Sequence, residues 1–305
     1  MQAIQKIINS NNCSADTRTL RKSEIFFDLG SKSNKDGDYF FKALKKKPLF
    51  IITQNQKRKL SGKNFIIVKN IYSFYVKSIS QKFKKKPKYN VAVTGTNGKT
   101  SVAFFYYKIL NLLRIKVGSI GTLGVFENTK KSKGNLTTPD FFSNHKSLNH
   151  FYKKRINHSI IEASSHGLKQ NRLEKINFDC GVFTNLTHDH LDYHRTMKDY
   201  LNSKLILFKK LIKKNGFLVT GSEVLEFPLL NKISKKNKLN LLSYGRKGTI
   251  IKIISIKPDS QFTKLKINVL GKVHILKLKL IGNFQIENFL AATLACYSSG
   301  ISFEK

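Results

Sequence analysis

Apolar residues in the first part of the chain come in short bursts between polar or turn-forming residues. "SEIFFDL" (23–29), "PLFIIT" (48–53) and "NFIIVKN" (64–70) predict strands. "IYSFYVKSISQKF" (71–83) spaces its apolar residues three and four apart, which predicts a helix. "KFKKKPK" (82–88) is charged and carries Pro87, as a linker does. From Tyr89 the pattern changes. Strand patterns "YNVAVTG", "KVGSIGT" (116–122), "HSIIEAS" (158–164), "DCGVFTNL" (179–186) and "GFLVTG" (216–221) follow one another. Helical patterns stand among them at "TSVAFFYYKILNLLRI" (100–115) and "MKDYLNSKLILFKKLI" (197–212). Strands alternating with helices predict a mostly parallel sheet wound on both faces. Residues 240–281 read as shorter strands of a small antiparallel piece, and "QIENFLAATLACYSSG" (285–300) as a last helix. The fold class expected is therefore α/β. A small mixed α/β domain spans 1–88, and a larger doubly wound, P-loop-like domain spans 89–305.

Composition changes this picture little. With 40% hydrophobic residues and no apolar run long enough to cross a bilayer, the chain reads as globular, without membrane insertion. "MQAIQKIINSNNC" has no apolar core of signal-peptide length, so a cytoplasmic protein is expected. Cys13, Cys180 and Cys296 are odd in number and widely spaced, which suits reduced structural thiols. The 56 basic residues outnumber the 18 acidic ones and give a net charge of +38. The lysines spread along the whole chain like a solvated surface, and Asn, Ile, Lys and Phe are abundant together. A compositional bias explains this better than a nucleic-acid partner, although such a field still attracts small anions.

The chemistry begins at "VAVTGTNGKTS" (91–101). A buried strand stops at Gly95, Thr96, Asn97 and Gly98, and a helix opens with Lys99, Thr100 and Ser101. Glycines let backbone N–H groups approach phosphate oxygens, and the helix start adds partial positive charge. Lys99 would reach the terminal phosphates, and Thr100 or Ser101 would place a hydroxyl on Mg²⁺. The spacing departs from G-x-x-x-x-G-K-[ST], because Val93 stands five residues before Gly98. Glu162 ends the strand "HSIIE", where open α/β sheets carry their ligands. "THDHLDYH" (187–194) packs Asp189, His190, Asp192 and His194 together, a density that suits metal or phosphate contacts and equally a hydrogen-bonded loop.

"GTNGKTS" (95–101), "LTTPD" (136–140), "IEASSHGLKQNR" (161–172) and "VFTNLTHDHLDYHRTMKDYLNSK" (182–204) together resemble the Mur ligases. The closest type (MurE) adds the third residue, meso-diaminopimelate or L-lysine, to UDP-N-acetylmuramoyl-L-alanyl-D-glutamate. "DTRTLRKSEIFFDL" (16–29) is similar to that type's uridine-binding domain, and "GNFQIENFLAA" (282–292) to the end of its central domain. The resemblance implies an ATP-dependent ligase of peptidoglycan synthesis that works through an acyl phosphate. It implies that Lys99 stabilises the transferring phosphoryl group. It implies one Mg²⁺ on Thr100 and Glu162, and a second on His190 and a carbamylated Lys204. For the UDP-sugar peptide it implies Thr17, Thr137, Thr138, Ser164, Gln170 and Arg172, with the loop 30–37 facing the uridine. Asn288 matches the adenine-side motif, but Gln285 stands where the family shows asparagine. The family's third domain, which binds the incoming amino acid, has no counterpart here. The chain is thus expected to bind its ligands but to ligate poorly alone, or with a separate chain supplying that domain. A folylpolyglutamate-synthase-like ligase and a non-catalytic nucleotide-binding remnant are the competing readings.

Overall fold

The computed structural model describes residues 2–30, 39–54, 64–128, 130–132, 134 and 136–304. It divides into two compact units that part between Lys84 and Lys85, inside the charged "KFKKKPK" segment.

In the first unit the elements run α1 (Gln2–Ser10), β1 (Cys13–Ser14), β2 (Ile25–Phe27), α2 (Tyr39–Lys45), β3 (Phe50–Thr53), β4 (Phe65–Ile67) and α3 (Ile71–Lys82). The four short strands form one parallel sheet in the order β1-β2-β3-β4. Leu20, Phe26, Phe40, Ala43 and Ile51 make its core, and Phe27 meets Tyr75 of α3 edge to face at 5.0 Å. Asn70 caps α3 by accepting the Ser73 N–H at 2.8 Å.

The second unit opens with β5 (Tyr89–Thr94), α4 (Lys99–Leu112), β6 (Val117–Gly121), β7 (Gly124–Glu127), β8 (Lys130–Ser132), α5 (Phe141–Lys153) and β9 (His158–Glu162). It continues with α6 (Ser165–Lys169), β10 (Phe178–Phe183), α7 (Leu191–His194), α8 (Met197–Ile206), β11 (Ile212–Gly221) and α9 (Phe227–Asn237). β12 (Asn240–Gly245), β13 (Ile251–Pro258), β14 (Thr263–Val269), β15 (Lys272–Leu278) and α10 (Asn283–Ser298) complete it. Its sheet has the order β15-β14-β13-β12-β11-β10-β5-β9-β6-β7-β8. The strands from β13 through β6 pair in parallel, and antiparallel pairs stand at both edges.

Strand alternation explains the two covered faces. Val91 and Val93 point to α4 and α10, into a core with Tyr106, Leu110, Ile286 and Leu290. Ala92, between them, faces the opposite core, built from Leu148 and Phe151 of α5, Leu205 of α8 and Leu230 of α9. Phe151 is fully buried, and truncating such a ring to alanine costs about 3–5 kcal/mol.

The structure corrects three expectations from the pattern. The helix expected over 197–212 is α-helical only to Ile206, and Leu207–Leu211 form a π turn. Ile212 is already paired with Phe178, and a bulge takes up the residues before Phe217 pairs with Cys180. Leu207, Phe208 and Ile212 keep a helical apolar spacing because they enter the same core. The stretch 240–245 joins the parallel sheet and not the antiparallel piece, since its partner is β11. β7 and β8 add a second antiparallel edge that their short sequences, the second wholly polar, do not announce.

Candidate functional site

Four neighbouring parallel strands, β10, β5, β9 and β6, end side by side. Val93 pairs with Glu162, Thr94 with Phe183, and Ile120 with Ile161, so their carboxyl ends are level. Ligands of open α/β sheets bind at such ends.

After β5 the chain bends through Gly95–Gly98. Gly95 has φ +152° and Gly98 φ +86°, both in the region that favours glycine. A Cβ on Gly95 would collide with the Thr184 hydroxyl, and one on Gly98 with the Asn288 amide of α10. The turn is braced from the neighbouring strand end. Asn97 N–H donates to Asn185 Oδ1 at 2.9 Å, and Thr184 Oγ1 donates to the Asn97 carbonyl at 2.6 Å. α4 begins at Lys99, with Thr100 and Ser101 in its first turn and no side-chain cap at Gly98. A helix start of this kind can offer its first N–H groups to an anion.

Lys99 Nζ folds back onto the Gly95 and Thr96 carbonyls at 2.8 and 2.7 Å. Burial lowers its ammonium below lysine's usual value, while the carboxylates of Glu162 and Asp189 pull the other way. Lys204 of α8, 1% exposed, donates from Nζ to the same Gly95 carbonyl at 2.7 Å. Burial, and then the Lys99 charge, push Lys204 down to about 6.

Glu162 is 2% exposed. Its carboxylate accepts from Thr100 Oγ1 at 2.8 Å, from Thr122 N–H at 2.9 Å and from Thr122 Oγ1 at 3.0 Å. Thr122 Oγ1 also meets Thr137 Oγ1 at 3.0 Å. Thr138 donates to the Glu162 carbonyl at 2.7 Å and meets Ser164 Oγ at 2.9 Å. Ser164 in turn caps α6 through the Gly167 N–H. Arg172 forks onto Gln170 Oε1 and bonds the Thr138 carbonyl at 2.7 Å. Gln170 reaches the Tyr193 hydroxyl at 3.2 Å.

His190 stands on the far side of the turn. Its backbone is left-handed, with φ +53°, and its side chain is 46% exposed beside Asp189. Its ring packs edge to face on His166 at 4.9 Å and on Tyr200 at 6.1 Å. Burial lowers the His166 imidazole, and the charges of His190, Arg172 and Lys204 add to the effect. Among the described residues no three His, Cys, Asp or Glu side chains converge as a ready metal site. The oxygen donors Thr100 and Glu162 suit a hard ion that takes its remaining ligands from phosphate and water.

Thr17 belongs to the first unit. It lines a cavity of about 410 Å³ with Asp16, Arg18, Asp28 and Tyr39, which Gly30 also borders. The loop 31–37 lies outside the described residues. The sequence reading passed over Thr122, Asn185, Thr187 and Tyr200. Thr122 alone carried a legible signal, because it directly follows a strand end as Glu162 occupies one. The amide oxygen of Gln285, one turn before Asn288, is buried without a hydrogen-bond partner among the described residues.

UDP-N-acetylmuramoyl-L-alanyl-D-glutamate–2,6-diaminopimelate ligase from Rickettsia typhi (strain ATCC VR-144 / Wilmington) is 32% identical over 97% of this chain and 60% of its own length. This chain thus spans about three-fifths of that relative. A solved structure of a ligase with the same name has a TM-score of 0.80 at 24% identity, over 96% of this chain and 60% of that one. The MurF ligase of Thermotoga maritima in complex with ADP has a TM-score of 0.71 at 19% identity, over 97% and 64%. Both likenesses concern the fold. The Mur ligase middle domain model matches residues 93–296, which hold the glycine turn, Glu162, His190, Lys204 and Asn288. That match covers most of the sequence, and the chain belongs to the Mur ligase family.

Proposed function

We propose that this chain carries the nucleotide and UDP-sugar sites of a cytoplasmic, ATP-dependent amide ligase. Its acceptor is UDP-N-acetylmuramoyl-L-alanyl-D-glutamate, and the residue added is meso-diaminopimelate or L-lysine. The observation that carries the reading is the glycine turn at the uncapped start of α4. There Lys99 lies over the loop and Thr100 is bonded to the buried Glu162.

In this reading the acceptor carboxylate forms a bond to the γ-phosphorus of ATP, and ADP leaves. The incoming amine then bonds the acyl carbon, phosphate departs, and the amine loses a proton. The protein chiefly positions the reactants and neutralises charge. Lys99 exchanges its two carbonyl partners for phosphoryl oxygens. Thr100 and Glu162 would hold one Mg²⁺, and His190 with Lys204 a second; such ions would supply charge neutralisation on the phosphates. The orphaned Gln285 oxygen beside Asn288 is suited to accept from an adenine amine. Thr137, Thr138, Ser164, Gln170 and Arg172 form the acceptor's side, where Arg172 can fork onto a carboxylate or pyrophosphate. Thr17 and its cavity take the uridine. The amino-acid site comes from further sequence or from a separate chain.

Lys204 fits a carbamate for a physical reason. An amine pushed down to about 6 is neutral at pH 7 and can attack carbon dioxide. The N–C bond forms and one proton leaves. The remaining N–H still matches the Gly95 carbonyl, and the new oxygens become ligands for a hard cation.

The test is Lys99→Ala. Wild-type chain is expected to bind Mg²⁺ with a non-hydrolysable ATP analogue in a calorimetric titration, and to release phosphate from ATP in the presence of the UDP-sugar dipeptide. The variant is expected to lose phosphate release by about a thousandfold. Release at the wild-type rate would remove the phosphate-loop assignment. Folate competing better than the UDP-sugar dipeptide would replace the substrate.

A further inference from the structure

Tyr200 of α8 is 1% exposed and touches three parts of the site at once. Its hydroxyl donates to Thr96 Oγ1 in the glycine turn at 3.2 Å. Its ring face lies 4.1 Å from Lys204 Nζ, one helical turn along α8. The ring also packs against His194 at 5.0 Å and His190 at 6.1 Å. A tyrosine inside a helix reads as core, and nothing in the sequence distinguishes this one.

The Thr96 hydroxyl shows why this placement matters. A hydroxyl has one donor and two acceptor positions. Thr96 Oγ1 donates to the Thr187 carbonyl at 3.3 Å and accepts the Thr187 N–H at 3.0 Å. The Tyr200 hydroxyl fills the last acceptor position. Thr96 thereby ties the glycine turn to the start of the loop that carries His190, and Tyr200 ties that junction to the helix that carries Lys204. Two of these three segments are loops, which have no regular secondary structure of their own to fix their spacing.

We propose that Tyr200 is a positioning residue. Its hydroxyl sets the glycine turn against the His190 loop, and its ring holds Lys204 beside the turn, so that one side chain fixes the spacing of all three for the nucleotide. This rests on the nucleotide reading of the turn given above.

Two variants separate the hydroxyl from the ring. Tyr200→Phe keeps the buried ring and removes the hydroxyl. It is expected to bind the Mg²⁺–ATP analogue about fivefold more weakly, the effect of one lost neutral hydrogen bond. Tyr200→Leu also removes the ring packed on His190, His194 and the Lys204 side chain, and is expected to lose about a further tenfold. Thr96→Val supplies the control that a merely structural tyrosine would not satisfy. Paired with Tyr200→Phe, it should lose no more affinity than Thr96→Val alone, because the same bond is already gone. Additive losses would overturn the hydroxyl's role, as would a Tyr200→Phe variant that melts lower yet binds like wild type. Equal affinity of the Phe and Leu variants would overturn the ring's role. If wild type itself takes no nucleotide, the proposed function fails first and this inference falls with it. If wild type binds and Tyr200→Phe binds equally, only the inference falls.

Discussion

The two flanks of the candidate site are built differently. On the nucleotide flank Lys99, Lys204 and Glu162 are largely buried, and their polar atoms are held by Gly95, Thr96, Thr100 and Thr122. On the other flank Arg172 and Gln170 are more exposed and hold one another. The buried flank has its geometry before any ligand arrives, because a desolvated charge without partners costs several kcal/mol. The exposed flank can exchange water and side-chain partners for a substrate at little cost. Substitutions on the first flank should therefore change chemistry and folding together, and those on the second should change substrate affinity alone.

After Lys99→Ala, Lys204→Ala should show the largest effect. Phosphate release is expected to fall by about a hundredfold or more, the usual loss when one group that stabilises developing charge is removed. Added formate or acetate should restore part of it by placing a carboxylate where the proposed carbamate would stand. No rescue in a variant that still melts cooperatively would argue for an unmodified lysine that only bonds the Gly95 carbonyl.

A second, smaller effect is thermodynamic and needs no turnover. In the unfolded chain Lys204 holds its proton up to lysine's usual 10.5, whereas in the fold it has lost it above about 6. Between those values folding releases a proton, so stability rises with pH, by about 1.4 kcal/mol per unit. Below about 6 both states are protonated, and the contribution no longer changes with pH. In carbon-dioxide-free buffer, urea melts of wild type and Lys204→Met at pH 6.5, 7.5 and 8.5 should diverge in favour of wild type as pH rises. Parallel curves would show that Lys204 keeps its charge in the fold.

The same contrast explains what the sequence made legible. The glycine turn could be read because its signal is local: two glycines, a lysine and a hydroxyl between a strand and a helix. Glu162 could be read because a strand end is a position in the pattern. Tyr200 and Asn185 could not, since their roles depend on contacts 104 and 88 residues away along the chain. Most strands were visible from apolar bursts, but the parallel pairing of β12 depended on a partner that no local window contains. β7 is too short, and β8 too short and polar, to stand out. The family resemblance supplied Thr17 and Lys204. Among so many lysines, burial beside Gly95 is what makes Lys204 exceptional, and burial is a property of the fold.

Arg172→Lys should have the smallest effect and sharpens the comparison most. Arg172 uses Nε and one terminal nitrogen on Gln170, and the other terminal nitrogen on the Thr138 carbonyl. Lysine keeps the charge but offers a single point donor in place of the planar fork, so it can satisfy one of these partners at a time. Thr138 is 1% exposed and Gln170 is exposed, so the lysine is expected to keep the buried Thr138 carbonyl and leave Gln170 to water, and stability should stay within about 0.5 kcal/mol of wild type. A substrate carboxylate or pyrophosphate needs the fork more than the protein does. The KM for the UDP-sugar dipeptide is therefore expected to rise about tenfold. Affinity for the Mg²⁺–ATP analogue should not move, because no part of the guanidinium touches the glycine turn. A parallel fall in nucleotide affinity would show that the Thr138–Glu162 bond transmits the change across the strand ends, and that the two flanks work as one unit.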